Sequence, residues 1–264
     1  MADAVAAWGG KMTGDHRLSK SGGFPLLVKF LDACENLSVQ VHPSPSYAAT
    51  HADAHLKTEC WYILRAEPDA MIYKGLKPGV TRDSLKAHLT SGQIVGDMIA
   101  VPAIPGECHN LPSGTVHALG AGVVVAEVQT PSDTTFRLYD WGRTGREIHV
   151  EQALACTDLP NTAPPTTRLR DGERSARLVT TEFFTLDEHD VRPGDAIAIG
   201  DGNGPAVLII VGGSAAVGDL LSSGPRVDLR LGQTCVVPAF NTAWDSVVAG
   251  PDGCRVLIAR LVSN

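Results

Sequence analysis

Of the nine histidines in this 264-residue chain, two have neighbours that suggest chemistry. His42 closes the stretch LSVQVHP (residues 37–43), where Leu37, Val39 and Val41 alternate with Ser38, Gln40 and His42. Residues two apart on a strand share a face, so Gln40 and His42 stand side by side. His117 follows LPSGTV, a turn-forming run that pins the start of the next strand. Between them comes Glu59, with Lys57 and Trp61 on its own face of the segment KTECWYIL. Two imidazoles and a carboxylate are a common zinc set, and the amide oxygen of Gln40 or a water completes a tetrahedron. The spacing leaves a plainer reading open: Gln40 and His42 as the solvated face of an edge strand, Glu59 paired with Lys57, and His117 a hydrogen-bonded core residue. His16, His51, His55, His88, His109, His149 and His189 lie in polar or turn-like surroundings and have no such neighbours.

The elements that must position these residues read as short strands. FPLLVKFLDA predicts a buried strand; LSVQVHP, stopped by Pro43 and Pro45, predicts another; KTECWYILRA and AMIYKGL follow. A short amphipathic helix is expected near Val5 and Trp8, and a helical or irregular excursion over residues 44–56. TRDSLKAHLTSG predicts a helix with a Thr or Asp cap and Gly92 as its stop. Residues 98–129 alternate apolar runs with dense turn chemistry, which points to an all-β sandwich or barrel. Residues 156–176, rich in Pro and polar side chains, are expected to be a linker or crossing loop, and a second strand-rich half follows. A faint repeat relates the halves: Gly106, Pro112 and His117 correspond to Gly232, Pro238 and Ala243, with a methyl group where the first copy has an imidazole.

Composition narrows the function. A formal charge of −7 and a pI near 5.7 argue against a nucleic-acid binder, which needs a basic face. No apolar run reaches membrane-spanning length, and the start lacks the basic and apolar regions of a signal peptide. The expectation is a cytoplasmic protein whose six scattered cysteines, without a CxxC pair, stay reduced.

Five motifs in order then carry a resemblance: FPLLVKFLDA, LSVQVHP, KTECWYIL, PSGTVHALGAG and SDTTFRLYDWGR. Together they resemble the type I mannose-6-phosphate isomerases in their short bacterial form, densely over residues 24–143 and loosely beyond. PGECHNLPSGTVH also looks like the second motif of the cupin superfamily. The resemblance implies an all-β fold of two cupin-like double-stranded β-helix (jelly-roll) barrels with a few short helices. It implies a metal-binding catalytic domain over 1–155, the linker at 156–176, and a degenerate cupin without a metal site over 177–264. It places the ligands of one Zn²⁺ on Gln40, His42, Glu59 and His117, with the Gln40–His42 face turned into the barrel. It places an active-site lysine on Lys57 and an active-site arginine on Arg137, both suited to a phosphosugar substrate.

Arg143 is a second phosphate candidate, with a surface cation as its other reading, and Asp133 and Asp140 are expected to orient the arginines. The implied reaction interconverts mannose 6-phosphate and fructose 6-phosphate through a cis-enediol. The proton carrier stays open between Lys57, a metal-bound water and the surroundings of Glu59. Members of the family begin with a further segment, including a Gly-Glu-Ser/Cys-Trp-type strand, and the chain is expected to be short by that segment. Two rivals stand: another metal-dependent cupin enzyme, an oxygenase or epimerase using His42, Glu59 and His117 alone, and a sugar-phosphate-binding cupin without turnover. Monomer and weak homodimer are both left open.

Overall fold

The computed structural model describes residues 1–159, 165–199, 204–218, 226–240 and 246–262. Two short helices, α1 (Ala2–Trp8) and α2 (Gly10–Thr13), open the chain. Contacts divide it into two compact units, residues 27–167 and residues 1–26 with 168–264.

The unit of residues 27–167 contains β1 (Leu27–Ala33), β2 (Val39–Val41), β3 (Glu59–Ala66), β4 (Met71–Leu76), β5 (Met98–Pro102), β6 (Glu107–Leu111), β7 (His117–Leu119), β8 (Val123–Gln129) and β9 (Phe136–Tyr139). Helices α3 (Pro45–Thr50), α4 (Arg82–Ser91) and α5 (Val150–Cys156) interrupt and follow them. One sheet has the order β1-β8-β3-β6, extended at its edge by β10 (Thr167–Arg168); the other has the order β5-β4-β7-β2-β9. The described ladders are antiparallel, as in a jelly roll.

Alternation decides what faces the interior. Trp61, Ile63, Leu111, Val123 and Val125 from the first sheet pack with Ile72 and Leu119 from the second, forming an apolar floor between them. On the outer face of the second sheet, Val39, Val41, Ala118 and Leu138 pack with Leu85 of α4 and Ala153 and Leu154 of α5. Val39 and Val41 are fully buried there. Each such valine contributes about 1.5 kcal/mol or more. A one-residue slip would exchange them for Gln40, so their burial fixes which way Gln40 and His42 point.

The capped helix expected over 81–92 is α4. Thr81 and Ser84 form a reciprocal capping box, and Gly92 closes the helix in the left-handed region at φ 73°. FPLLVKFLDA does contain a strand, but it is an edge strand rather than a buried one: β1 ends the sheet order, and Phe30 is 40% exposed.

The other unit adds β11 (Ser175–Thr180), β12 (Phe184–Val191), β13 (Ala196–Ala198), β14 (Ala206–Gly218), β15 (Val227–Arg230), β16 (Thr234–Val237) and β17 (Ser246–Leu261). Its sheet runs β11-β12-β17-β14-β15, with β13 on β17 and β16 on β14. An apolar cluster that includes Leu208, Ile210, Val217, Val247, Val256 and Ile258 fills it. The N-terminal helices attach here: the N–H groups of Ala239 and Phe240 donate to the carbonyls of Met12 and Lys11. Of the faint repeat, Gly232 lies in the turn before β16 and Pro238 directly follows that strand, and Ala243 lies outside the described residues. The fold is thus strand-rich and cupin-like with few helices. No described helix is long and apolar enough to cross a membrane.

Candidate metal centre

Three of the sequence-derived residues converge. His42, directly after β2, and His117, at the start of β7, belong to one sheet, and Glu59 opens β3 on the other. Nε2 of His42 lies 3.3 Å from Oε2 of Glu59, and Nε2 of His117 lies 3.2 Å from Oε1. The ring centroids are 4.9 Å apart. All three side chains are fully buried, and neither Nε2 nor either carboxylate oxygen makes a hydrogen bond of acceptable geometry. Buried polar atoms are nearly always satisfied, so four of them aimed at one point, with an ammonium beside Glu59 Oε2 alone, need an explanation. Among the described residues, this is the one group of His, Cys, Asp and Glu close enough to hold a metal ion.

The protonation pattern suits a cation. Nδ1 of His117 lies 2.8 Å from the Thr115 carbonyl. A carbonyl only accepts, so Nδ1 carries the proton and Nε2 keeps its lone pair. Burial lowers the His42 pKa to about 4 against the opposing pull of Glu59, so the His42 ring is neutral near pH 7. Burial by itself would raise the Glu59 pKa, but His42, His117 and Lys57 together hold it well below the usual carboxylate range. Lys57, almost fully buried, places Nζ 2.8 Å from Glu59 Oε2.

Register brings in two more of the sequence candidates. Gln40 pairs with His117 on one side and with Arg137 on the other, and Lys74 pairs with His117 from β4. Directly opposed residues point to the same face. Lys74, His117, Gln40 and Arg137 therefore form one row across the inner side of the sheet. A bulge between Val39 and Gln40 leaves Leu138 unpaired, so Leu138 turns outward while Arg137 faces inward. Arg143 is not brought to this row. It bonds Glu35 and Asp140 at 2.8 and 2.7 Å and donates to the Asn36 carbonyl, tying the end of β9 to the β1–β2 connection. Asp140 does hold Arg143, whereas Asp133 is exposed, with no described bond to Arg137.

No family model matches the chain. A mannose-6-phosphate isomerase from Streptococcus mutans is 33% identical over 233 residues, 86% of this chain and 72% of that one. The chain belongs to the mannose-6-phosphate isomerase family. The isomerase ManA of Bacillus subtilis is 42% identical over 144 residues, 52% of this chain and 45% of its own length. In three dimensions, the mannose 6-phosphate isomerase of Bacillus subtilis superposes with a TM-score of 0.82 at 27% identity, over 97% of this chain and 80% of that one.

This family member has two further polar groups inside the barrel that sequence reasoning missed. Glu127 on β8 accepts from Lys29 Nζ at 2.8 Å and from Trp61 Nε1 at 2.9 Å, and Lys29 also donates to Gln129. The signal was a lone carboxylate inside the apolar run VVVAEVQ, a position that requires a partner. On the other flank Lys74 Nζ donates to Thr166 Oγ1 at 3.0 Å, and His109 Nδ1 lies 3.4 Å from the same oxygen. His109 is fully buried; burial, with Lys74 adding to it, lowers its pKa to about 3.

Proposed function

We propose that this chain is a zinc-dependent aldose–ketose isomerase that interconverts mannose 6-phosphate and fructose 6-phosphate through a cis-enediol. The observation that carries the reading is the set of four donor atoms on His42, Glu59 and His117, gathered from both sheets into one buried point without hydrogen bonds of acceptable geometry. Two imidazoles and an ionised carboxylate suit zinc, and Gln40, on the face of His117, would supply the fourth protein ligand. Bound zinc supplies Lewis-acid polarisation of the substrate oxygens.

The chain's own residues do the remaining work. The isomerisation removes a proton from C2 of the open-chain aldose and returns one to C1, with no outside oxidant or reductant. Negative charge gathers on oxygen along the way. Lys57, held beside Glu59 by the ion pair, presents an ammonium where that charge develops. Arg137, at the end of the inward row, takes the phosphate dianion. Trp61, edge-on to His117 with centroids 5.3 Å apart, closes the floor against water.

The test is turnover of mannose 6-phosphate by purified protein, alongside elemental analysis and a chelator titration. The expected result is about one zinc per chain, activity abolished by chelator and restored by added zinc. Turnover that survives complete metal removal would end the reading.

A further inference from the structure

Arg137 lies on β9, the edge of its sheet. An edge strand leaves one row of backbone groups unpaired, and a side chain there is poorly fixed unless something covers that row. Residues 147–149 cover it. The Arg137 N–H donates to Nδ1 of His149 at 3.1 Å, and the His149 N–H donates to the Arg137 carbonyl at 2.8 Å. Nη1 of Arg137 donates to the Glu147 carbonyl at 2.7 Å. One short segment therefore grips both the backbone and the guanidinium of a single residue.

His149 occupies the N-cap position of α5, yet its side chain does not cap that helix. Its ring instead crosses to β9 and packs edge-on against Phe136, with centroids 5.9 Å apart. Because Nδ1 accepts, the ring proton sits on Nε2, on the side of Glu147, whose Oε2 is 3.7 Å away. The guanidinium held in this way has its Nη1 occupied. Its Nε is buried without a hydrogen-bond partner, and no described residue bonds Nη2. Those two atoms form the side-on fork that matches two oxygens of a phosphate. A buried, unsatisfied N–H on a cation is the remaining half of such a contact.

We propose that His149 is a positioning residue: with the Glu147 carbonyl it holds Arg137 so that the Nε–Nη2 edge receives the phosphate of the substrate. The proposal rests on the isomerase reading above. It gives His149 a role through Arg137 and none in the proton transfer.

The experiment compares H149A, H149N, R137A and the double variant R137A/H149A. Mannose 6-phosphate kinetics are measured, together with calorimetric binding of inorganic phosphate. H149A is expected to raise KM and the phosphate Kd about tenfold, the worth of one hydrogen bond that orients a charged group, with kcat held within about twofold. H149N places its amide oxygen where Nδ1 was and is expected to restore both constants to within about twofold. Adding H149A to R137A is expected to change neither constant further, because the two residues act as one unit.

Unchanged KM in H149A, no rescue by H149N, or a cost that adds in full to that of R137A would each overturn the proposal. If H149A does not fold, H149L, which keeps the contact with Phe136 but offers no acceptor, replaces it. Failure of both to fold, while H149N folds, would make the role structural and also overturn the proposal. Phosphate binding needs no turnover. A parent protein that binds phosphate but isomerises nothing would fail the isomerase reading while the clamp is still judged. A parent that binds no phosphate would sink the clamp.

Discussion

Gln40 stands directly opposite His117 across β2 and β7, and the two side chains leave the same face of the sheet. This places an amide beside an imidazole whose Nε2 lone pair is already fixed by the Thr115 carbonyl. If Gln40 is the fourth ligand, as proposed, replacing it by Ala is expected to lower zinc affinity and kcat/KM at least about tenfold with little loss of stability, since its neighbours stay oriented. Competition against a chromogenic chelator measures the affinity.

Lys57 is the ammonium nearest to Glu59, and both are buried. In metal-free protein, Lys57→Met removes the ammonium that compensates the buried carboxylate, a loss of about 3 kcal/mol. Zinc would compensate the same charge, so the loss should shrink in metal-loaded protein. Urea unfolding of the two forms measures the difference; equal losses would show that the carboxylate does not face the metal.

His42 and His109 are buried with pKa values lowered to about 4 and about 3. The unfolded chain protonates both near pH 6.5, so below that pH it binds more protons than the folded chain. Stability is therefore expected to be full above about pH 6.5 and to fall steadily from there toward about pH 4, by roughly 3 kcal/mol for each ring. Urea midpoints measured across that range check the slope; a flat profile would mean that the rings are not held neutral.

Arg143 is bound to Glu35, Asp140 and the Asn36 carbonyl, outside the inward row. Arg143→Ala is expected to cost about 1 kcal/mol of stability and to leave KM for mannose 6-phosphate unchanged. A large rise in KM would return this arginine to the phosphate site.

The face of LSVQVHP was legible because its alternation is strict, and the full burial of Val39 and Val41 enforces it. The helix at 81–92 was legible for a local reason too, since the Thr81 and Ser84 cap is written within four residues. Whether His42, Glu59 and His117 meet depends on how two sheets close over each other, which no local spacing encodes; residue chemistry offered them as one zinc set but left a plainer reading open, and the resemblance chose between the two. His109 and His149 looked ordinary because no partner stands near them in sequence. Their partners, Thr166 and Arg137, lie 57 and 12 positions away. The depth of FPLLVKFLDA was misread because an apolar edge strand and a central one have the same composition, and only the sheet order separates them.

The pairing of Lys57 with Glu59 has a consequence for the order of events. Around Glu59 one ammonium and one carboxylate cancel, so before the cation binds, an incoming dianion is attracted by Arg137 at the end of the row and little by the ion site itself. A divalent ion seated there leaves two uncompensated positive charges in a poorly screened interior, matched by a doubly ionised sugar phosphate. Loading should therefore run in sequence, cation before substrate, and sugar-phosphate affinity should climb steeply once zinc is in place.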